Sequence, residues 1–462
     1  NLYSADCHSS PVYQLIRGAS YPSFGKPHDG LGFAPVMCQH THGSTGICGI
    51  VYIDGGIWGP EWDDHILLGN VVTSRVNHDH VTFTGSTPKA NERPDFITSE
   101  DPWFRPVDLQ LGTDNALYIA DFYNKIIGHY EVPLDHPGRD RERGRIWRVG
   151  KKDSTNLSKD FTVMLAQQIS DELGNQNLAR RHLALREVTL RGTKDWLPHL
   201  FQIFDSGETM VAQGDRSPAN YSVEKVRDFQ PLRLSVSRYD ARTAFTLWAL
   251  SYLGERFVVS SVLRDLHTGG GWMEDQNDGQ LHGLVMSHAA QIIGSYDRLH
   301  PWEKWNLGIV FDFRGSVAWR SVTNALLQRP DYISGDSTWP DRQVEMLINL
   351  IDDLQSPPSS RNSNIDRRGD VSYLLALRLL LRDFLEHSDL LEKADSSKWS
   401  AHMLDKPWLV EVLKAVSSSQ ASAFLFNGLK KGVRIEPGIC SHIARHGDPS
   451  LLPQAIALAK KA

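Results

Sequence analysis

The densest group of residues able to do metal or acid–base chemistry lies in a glycine-rich segment from residue 21 to residue 45. It contains His28, Asp29, His40 and His42. Imidazole and carboxylate groups at short spacing can coordinate a metal ion, with His40 and Asp29 as the predicted ligands, or supply a general base with the group that orients it. They can equally hydrogen-bond the loop backbone and hold it in place. No recognised ligand spacing such as HExxH occurs, so the sequence favours these roles over a tight transition-metal site.

A second group of polar residues surrounds a predicted strand near residue 120. Arg105 stands between an aromatic pair and a proline ahead of this strand, where its guanidinium could meet a carboxylate or a sugar hydroxyl, or form a salt bridge within the fold. Asp121 ends the strand, where an acceptor can satisfy turn amides. With Tyr123, Asn124 and His129 it is also a candidate pocket wall.

The elements that carry these residues are indicated by a repeated phrase. Leu2-Tyr3-Ser4-Ala5-Asp6 recurs as Leu117-Tyr118-Ile119-Ala120-Asp121, the second time after the turn-forming Gly112-Thr113-Asp114-Asn115. A turn, a strand and an aspartate repeated at long spacing are typical of a β-propeller, in which every blade has the same plan. The first copy lacks its turn, so we expect the chain to begin inside a blade and to be a fragment.

The hydrophobic period changes near residue 153. Before it, short β-runs alternate with turn residues; they are predicted over Val12–Ile16, Gly49–Ile53, Val71–Val76, Val81–Thr84, Leu117–Ala120 and Arg145–Val149. After it, apolar residues recur at i, i+3, i+4 and i+7, as in Val259, Val262, Leu263 and Leu266 or in Val344, Leu347, Ile348 and Ile351. The predicted fold is therefore part of a β-propeller over residues 1–153, followed by an α-solenoid over residues 154–462. Residues 355–369 are predicted to be an exposed loop.

The composition of the chain argues against nucleic-acid binding and against a membrane-spanning helix. The chain has 462 residues, 49 Lys and Arg against 55 Asp and Glu, and a formal net charge of -6, so it has no dominant basic surface for nucleic acid. No apolar run approaches the roughly 18 residues that a transmembrane helix needs. Cys7, Cys38, Cys48 and Cys440 show no paired spacing, so the sequence leaves free thiols and a disulfide among the first three both open.

Several motifs in residues 1–150 resemble the membrane-bound-dehydrogenase-like, haem-binding proteins of planctomycetes and verrucomicrobia. They are FGKPHDGLGFAP (24–35), HGST (42–45), DPWFRPVD (101–108), GTDNALYIAD (112–121), GHYE (128–131), RDR (139–141) and GRIWRV (144–149). The later residues are similar to HEAT-like repeats. The resemblance implies a periplasmic or extracellular protein with a propeller related to glucose and sorbosone dehydrogenases, a HEAT-like domain and a cytochrome c domain. No CxxCH motif occurs, so we expect haem to bind outside this chain.

The resemblance further implies a sugar or alcohol dehydrogenase that uses pyrroloquinoline quinone and calcium and passes electrons to the haem domain. His28 or His42 would be the base, Arg105 the electrostatic stabiliser, and Asp29, Asp121, Tyr123 and His129 would contact the cofactor. Two alternatives stay open. One is a calcium-dependent lactonase, which uses a metal ion to activate water. The other is a module without catalysis, which binds a glycan or a protein partner.

Overall fold

The computed structural model describes residues 2–6, 11–22, 25–43, 46–128, 131–152, 159–201, 241–256, 258–260, 262, 278–296, 323, 325–326, 339–355, 370–387, 391 and 406–460. The fold is mixed: antiparallel sheets come first and helices follow. Within the described ranges, no helix is long and apolar enough to cross a membrane. The chain forms two compact units, one of residues 1–15, 36–84 and 88–321, the other of residues 16–35, 85–87 and 322–462.

The first unit contains three antiparallel sheets. Their strands are β1 (Tyr3–Ala5) and β2 (Val12–Gln14), then β3 (Ile47–Ile53), β4 (His65–Asn70), β5 (Arg75–Thr84) and β6 (Thr87–Thr98), then β7 (Pro106–Leu111), β8 (Leu117–Asp121) and β9 (Arg145–Val149). Each sheet follows chain order, so every strand pairs with the strand that precedes it in its sheet. Buried apolar residues lie on both faces of the β3–β6 sheet, with Ile66 and Leu68 on one face and Leu67 and Val76 on the other.

Two glycines bring the second and third sheets into direct backbone contact. A Cβ atom at Gly49, which has a φ of +62°, would lie 2.7 Å from the Cα of Asp108. A Cβ atom at Gly69 would lie 2.4 Å from the carbonyl oxygen of Pro106. Both distances are shorter than van der Waals contact, so only glycine allows this approach.

The prediction of a strand over Val71–Val76 is wrong. Residues 71–74 form the turn between β4 and β5. The side chain of Asn70 accepts hydrogen bonds from the backbone N–H groups of Val72 and Thr73, and Ser74 has a φ of +55°. This local bonding by an asparagine overrides the β-propensity of the two valines. Strands β4, β6 and β7 were not expected from the sequence.

Helical structure follows β9, beginning with a 3₁₀ turn at Phe161–Val163. The first unit contains α1 (Ala166–Glu172), α2 (Leu178–Arg191), α3 (Leu197–Phe201), α4 (Ala241–Tyr252) and α5 (Asp278–Gly294). Asn177 caps α2 by accepting from the N–H groups of Ala179 and Arg180, and its Nδ2 donates to the carbonyl of Gly112. This residue therefore starts the helix and fixes it to the β7–β8 turn. A domain boundary at residue 153 stays a prediction.

The second unit contains α6 (Trp339–Gln355), α7 (Val371–His387), α8 (Pro407–Ala415), α9 (Ser419–Lys431), α10 (Pro437–His446) and α11 (Leu451–Ala459). The predicted stripe on α6 is confirmed, because Val344, Leu347, Ile348 and Ile351 are all buried. Of the other stripe, Val259 and Val262 are buried. Leu263, Leu266 and the predicted loop after Gln355 lie outside the described residues.

Acid should weaken the first unit through His288 on α5. Trp248 Nε1 donates to His288 Nδ1 at 3.0 Å, and burial lowers the pKa of this imidazole to about 4. Since the unfolded chain binds the proton near pH 6.5, stability present above that pH is lost as the pH falls toward 4, by up to about 3 kcal/mol. Urea unfolding followed by tryptophan fluorescence at pH 7.5 and 5.0 measures this loss. His288→Asn keeps an acceptor for Trp248 and should reduce the pH dependence; an unchanged dependence would show that other groups cause it.

Candidate metal centre

Two imidazoles and one carboxylate converge in the first unit. His40 Nε2 lies 2.8 Å from Asp79 Oδ1, and His42 Nε2 lies 3.0 Å from Asp79 Oδ2. The two Nε2 atoms are 3.1 Å apart. The side chains of His42 and Asp79 are fully buried, whereas that of His40 is 20% exposed. A buried carboxylate that faces two imidazole nitrogens can hold them by hydrogen bonds or share a cation with them.

A thiol completes the cluster. Cys38 Sγ lies 3.3 Å from His40 Nε2, and one ligand atom from each of Cys38, His40 and Asp79 fits within 4.8 Å of the others. Burial, and to a smaller extent the nearby Asp79 carboxylate, raises the pKa of Cys38 to about 12. Without a cation the thiol is therefore protonated. A bound cation would oppose both effects, because it replaces lost solvation and neutralises the carboxylate.

The backbone positions these side chains in two ways. Asp79 lies on β5 opposite Ile66 of β4, and this register directs it to the same face as Ile66. His42 has a φ of +51° and precedes Gly43 with a φ of +72°, so the chain turns in the left-handed region immediately after the cluster. A left-handed conformation is unfavourable for histidine, and such strain is concentrated at functional sites.

A second carboxylate stands behind His42. His42 Nδ1, on the side of the ring away from Asp79, lies 3.4 Å from Glu92 Oε1, and the Glu92 side chain is 55% exposed. Histidines that bind metal ions usually direct their other ring nitrogen to a carboxylate or carbonyl, which fixes the tautomer and the orientation. Glu92 lies on that side of the ring, but His42 Nδ1 makes no hydrogen bond in the structure, so the carboxylate would have to move closer to fix the ring.

The donor set fits a transition-metal ion better than calcium. In a tetrahedral zinc site, ligand nitrogens are about 3.3 Å apart and sulfur and nitrogen about 3.6 Å apart, as follows from the bond lengths. The observed separations of 3.1 Å and 3.3 Å are close to these values. Calcium takes six to eight oxygen ligands, and this cluster offers oxygen from Asp79 alone among its converging atoms. The calcium that the resemblance implies therefore does not fit here.

His28 and Asp29 belong to the second unit and have other partners. His28 Nδ1 accepts from the N–H groups of Gly30 and Gly32, at 3.1 and 3.2 Å. Asp29 accepts from the N–H of Leu31 and from Arg382 Nη1, the latter at 2.6 Å. Both residues thus hold a loop. Their catalytic and ligand roles stay predictions that these contacts do not support.

Arg105 is buried, and its donors are directed at the protein. Nη1 donates to the Val71 carbonyl at 2.8 Å and to Ser74 Oγ at 2.9 Å. Nε and Nη2 donate to the carbonyls of Asn124 and Lys125. Burial lowers the pKa of this guanidinium, but the group remains a cation. With these hydrogen bonds in place, Arg105 has a structural role, and nothing in its contacts supports the predicted quinone or substrate contact.

Asp121 is likewise occupied by the protein. Its Oδ1 accepts from the N–H groups of Arg105 and Tyr123, and its Oδ2 accepts from Trp147 Nε1 at 3.0 Å. Tyr123 has a φ of +48°, and the guanidinium carbon of Arg145 lies 3.5 Å from its ring centroid. His129 lies outside the described residues. Cofactor contacts for these three residues stay predictions.

Sequence reasoning identified His40 and His42 but missed their partners. Cys38, His40 and His42 alternate along the chain, and such an alternation of ligand-type residues is a signal that could have been read. Asp79 and Glu92 are remote in sequence, and only the pairing of strands brings them near. Among the described residues, Cys38, Cys48 and Cys440 form no disulfide, and Cys7 lies outside these residues.

Comparison with known proteins adds one match. Residues 8–153 match the model of a domain of unknown function (DUF7133). This match includes all the residues of the cluster and most of the described strands. No curated protein and no solved structure matches the chain.

Proposed function

We propose that the first unit binds a divalent transition-metal ion of the zinc class through Cys38, His40 and Asp79, with His42 beside them. The observation that carries this proposal is the convergence of both Nε2 atoms on the buried carboxylate of Asp79. Without a cation the cluster leaves a desolvated carboxylate and a buried thiol side by side. An ion of charge +2 would neutralise both once the thiol releases its proton, as metal binding by cysteine requires.

The reaction that we propose follows from the resemblance. It is oxidation of a sugar or alcohol outside the cytoplasm, with electrons passed to a cytochrome c domain. Two features support the propeller and the HEAT-like repeats on which that resemblance depends. The β3–β6 sheet is a four-stranded antiparallel meander, the plan of a propeller blade. Helices α8, α9 and α10 each contact the helix that follows, up to α11.

A second reaction is favoured by the donor set. An ion held by nitrogen, sulfur and one carboxylate acts as a Lewis acid on a carbonyl or a water molecule, which is the chemistry of lactone hydrolysis. In either reaction Asp79 would keep both imidazoles oriented, and Glu92 would hold the ring of His42. Activity on a sugar only when an electron acceptor is present indicates oxidation; acid release from a lactone without an acceptor indicates hydrolysis.

Calorimetric titration of chelator-treated protein with zinc tests the metal site directly. We expect one equivalent of zinc to bind with a dissociation constant below about 1 μM, since protein sites with these ligands bind zinc strongly. Calcium should give no comparable binding. Cobalt should show thiolate-to-metal charge-transfer absorption that Cys38→Ser abolishes.

His136→Ala is the matched control, because this exposed imidazole contacts only the N–H of Gly138 among the described hydrogen bonds. It should bind zinc as the unaltered protein does. Failure of the unaltered protein to bind zinc, or equal binding by a His40→Ala variant, would contradict the proposal.

A further inference from the structure

A second polar cluster lies on the opposite face of the sheet that carries Asp79. His65 of β4 pairs with His80 of β5, and side chains alternate along each strand, so His78 and His80 point away from the Asp79 face. The ring centroids of His65 and His80 are 4.7 Å apart. Arg93 of β6 reaches the same place, with its Nη2 3.4 Å from His80 Nδ1.

The hydrogen bonds of His65 and His80 restrict which of their ring nitrogens can carry protons. His65 Nδ1 lies 2.6 Å from His78 Nε2, so one of these two nitrogens donates its proton to the other. His65 Nε2 is an acceptor when Nδ1 donates to His78, and an N–H donor when His78 donates to Nδ1. Since a guanidinium only donates, His80 Nδ1 accepts from Arg93 and its Nε2 carries the proton.

These groups direct the Nε2 of His65, the N–H of His80 and the guanidinium of Arg93 to one place. In the part of the chain that the structure describes, neither His65 Nε2 nor His80 Nε2 has a hydrogen-bond partner, and Arg93 has no ion pair. The neighbouring carboxylates are engaged elsewhere: Asp64 accepts from Tyr52, and Asp63 accepts from the N–H of Gly56.

An aromatic wall borders the cluster. The ring of Trp62 lies 5.6 Å from that of His65 and stacks on His78 at 5.1 Å. Trp62 is partly exposed, as are His65 and His80, and Arg93 is exposed. The groups are therefore within reach of a solute.

We propose that His65, His80 and Arg93, beside Trp62, bind a saccharide that carries a carboxylate, such as a uronic acid in its pyranose form. A guanidinium matches a carboxylate in shape and charge, and can bind it through two hydrogen bonds. Sugar hydroxyls both donate and accept, so one hydroxyl can bond His65 Nε2 in either tautomer and a second can accept from the N–H of His80. The indole ring supplies the apolar surface that a pyranose ring packs on. This site does not depend on the metal centre, which is on the other face of the sheet.

Titration with glucuronate at pH 7.5 tests the proposal, with glucose and acetate as the two partial ligands. Glucuronate should bind at least 10-fold more tightly than either, and its addition should shift the NMR signals of the His65 and His80 rings. Equal affinity for glucose would exclude a role for the carboxylate. Equal affinity for acetate would exclude a role for the sugar. Either result overturns the assignment.

Arg93→Met should weaken glucuronate binding at least 10-fold and leave zinc binding unchanged. Arg75→Met is the matched control, because Arg75 lies on the same sheet but already pairs with Asp95 at 2.5 Å. It should retain full affinity. Two results would show that the saccharide does not bind here. One is unchanged glucuronate binding by Arg93→Met, and the other is the absence of any shift in the His65 and His80 ring signals when glucuronate is added to the unaltered protein.

Discussion

Replacing Asp79 with asparagine should lower the affinity for zinc by at least about 100-fold. Changes to the groups that merely support metal ligands typically cost 10- to 100-fold, and Asp79 is itself a candidate ligand. The substitution keeps the shape of the side chain but removes its negative charge, which lies between both imidazoles. Competition with a chromophoric chelator measures the change.

Asp108→Asn is the control for this experiment. Asp108 lies on β7, is exposed and is not part of the metal centre. The Asp108→Asn variant should therefore bind zinc as tightly as the unaltered protein. If Asp79→Asn also bound zinc as tightly as the unaltered protein, the carboxylate would serve only to hydrogen-bond the two histidines. The proposed metal centre would then be wrong.

Replacing Arg105 with methionine should reduce the free energy of unfolding by about 3–5 kcal/mol. Removing one partner of a buried charged network leaves the others desolvated and unpaired. Here the carbonyls of Val71, Asn124 and Lys125, in two separate loop segments, would lose their shared donor. Urea denaturation of both proteins at pH 7.5 gives the difference.

Arg145→Met separates this effect from the general loss of an arginine. Its guanidinium is partly exposed, lies 3.6 Å from Asp101 and packs on the Tyr123 ring, and these contacts together are worth at most about 2 kcal/mol. Arg105→Met proteins that unfold at the same urea concentration as the unaltered protein, but lose turnover, would instead support the predicted role in catalysis.

The sequence allowed much of the architecture to be predicted, for identifiable physical reasons. A strand or helix that buries one face has apolar residues at a regular spacing, so a short stretch of sequence is enough to predict it. Examples are the alternation in Leu117–Ala120 and the apolar stripe on α6. The strand predicted at Val71 failed because the side chain of Asn70 bonds the next two amides. A hydrophobic pattern in the sequence gives no information about such a hydrogen bond.

The candidate site was only half predictable. His40 and His42 are neighbours in sequence, so their type and spacing identified them. Asp79 is brought to them by the β4–β5 register, and Glu92 by the next strand, through pairings that a single sequence does not specify. His28 and Asp29 are also a closely spaced imidazole and carboxylate, but they belong to the second unit.

The close approach of the second and third sheets has a consequence for how this chain tolerates mutation. At Gly49 and Gly69 a single methyl group would overlap backbone atoms of β7, which no rotamer change can move aside. In a saturation library these two positions should therefore accept no side chain at all, whereas Ile146, which is 76% exposed on β9, should accept nearly any. The fold is thus least permissive where it has the smallest side chains.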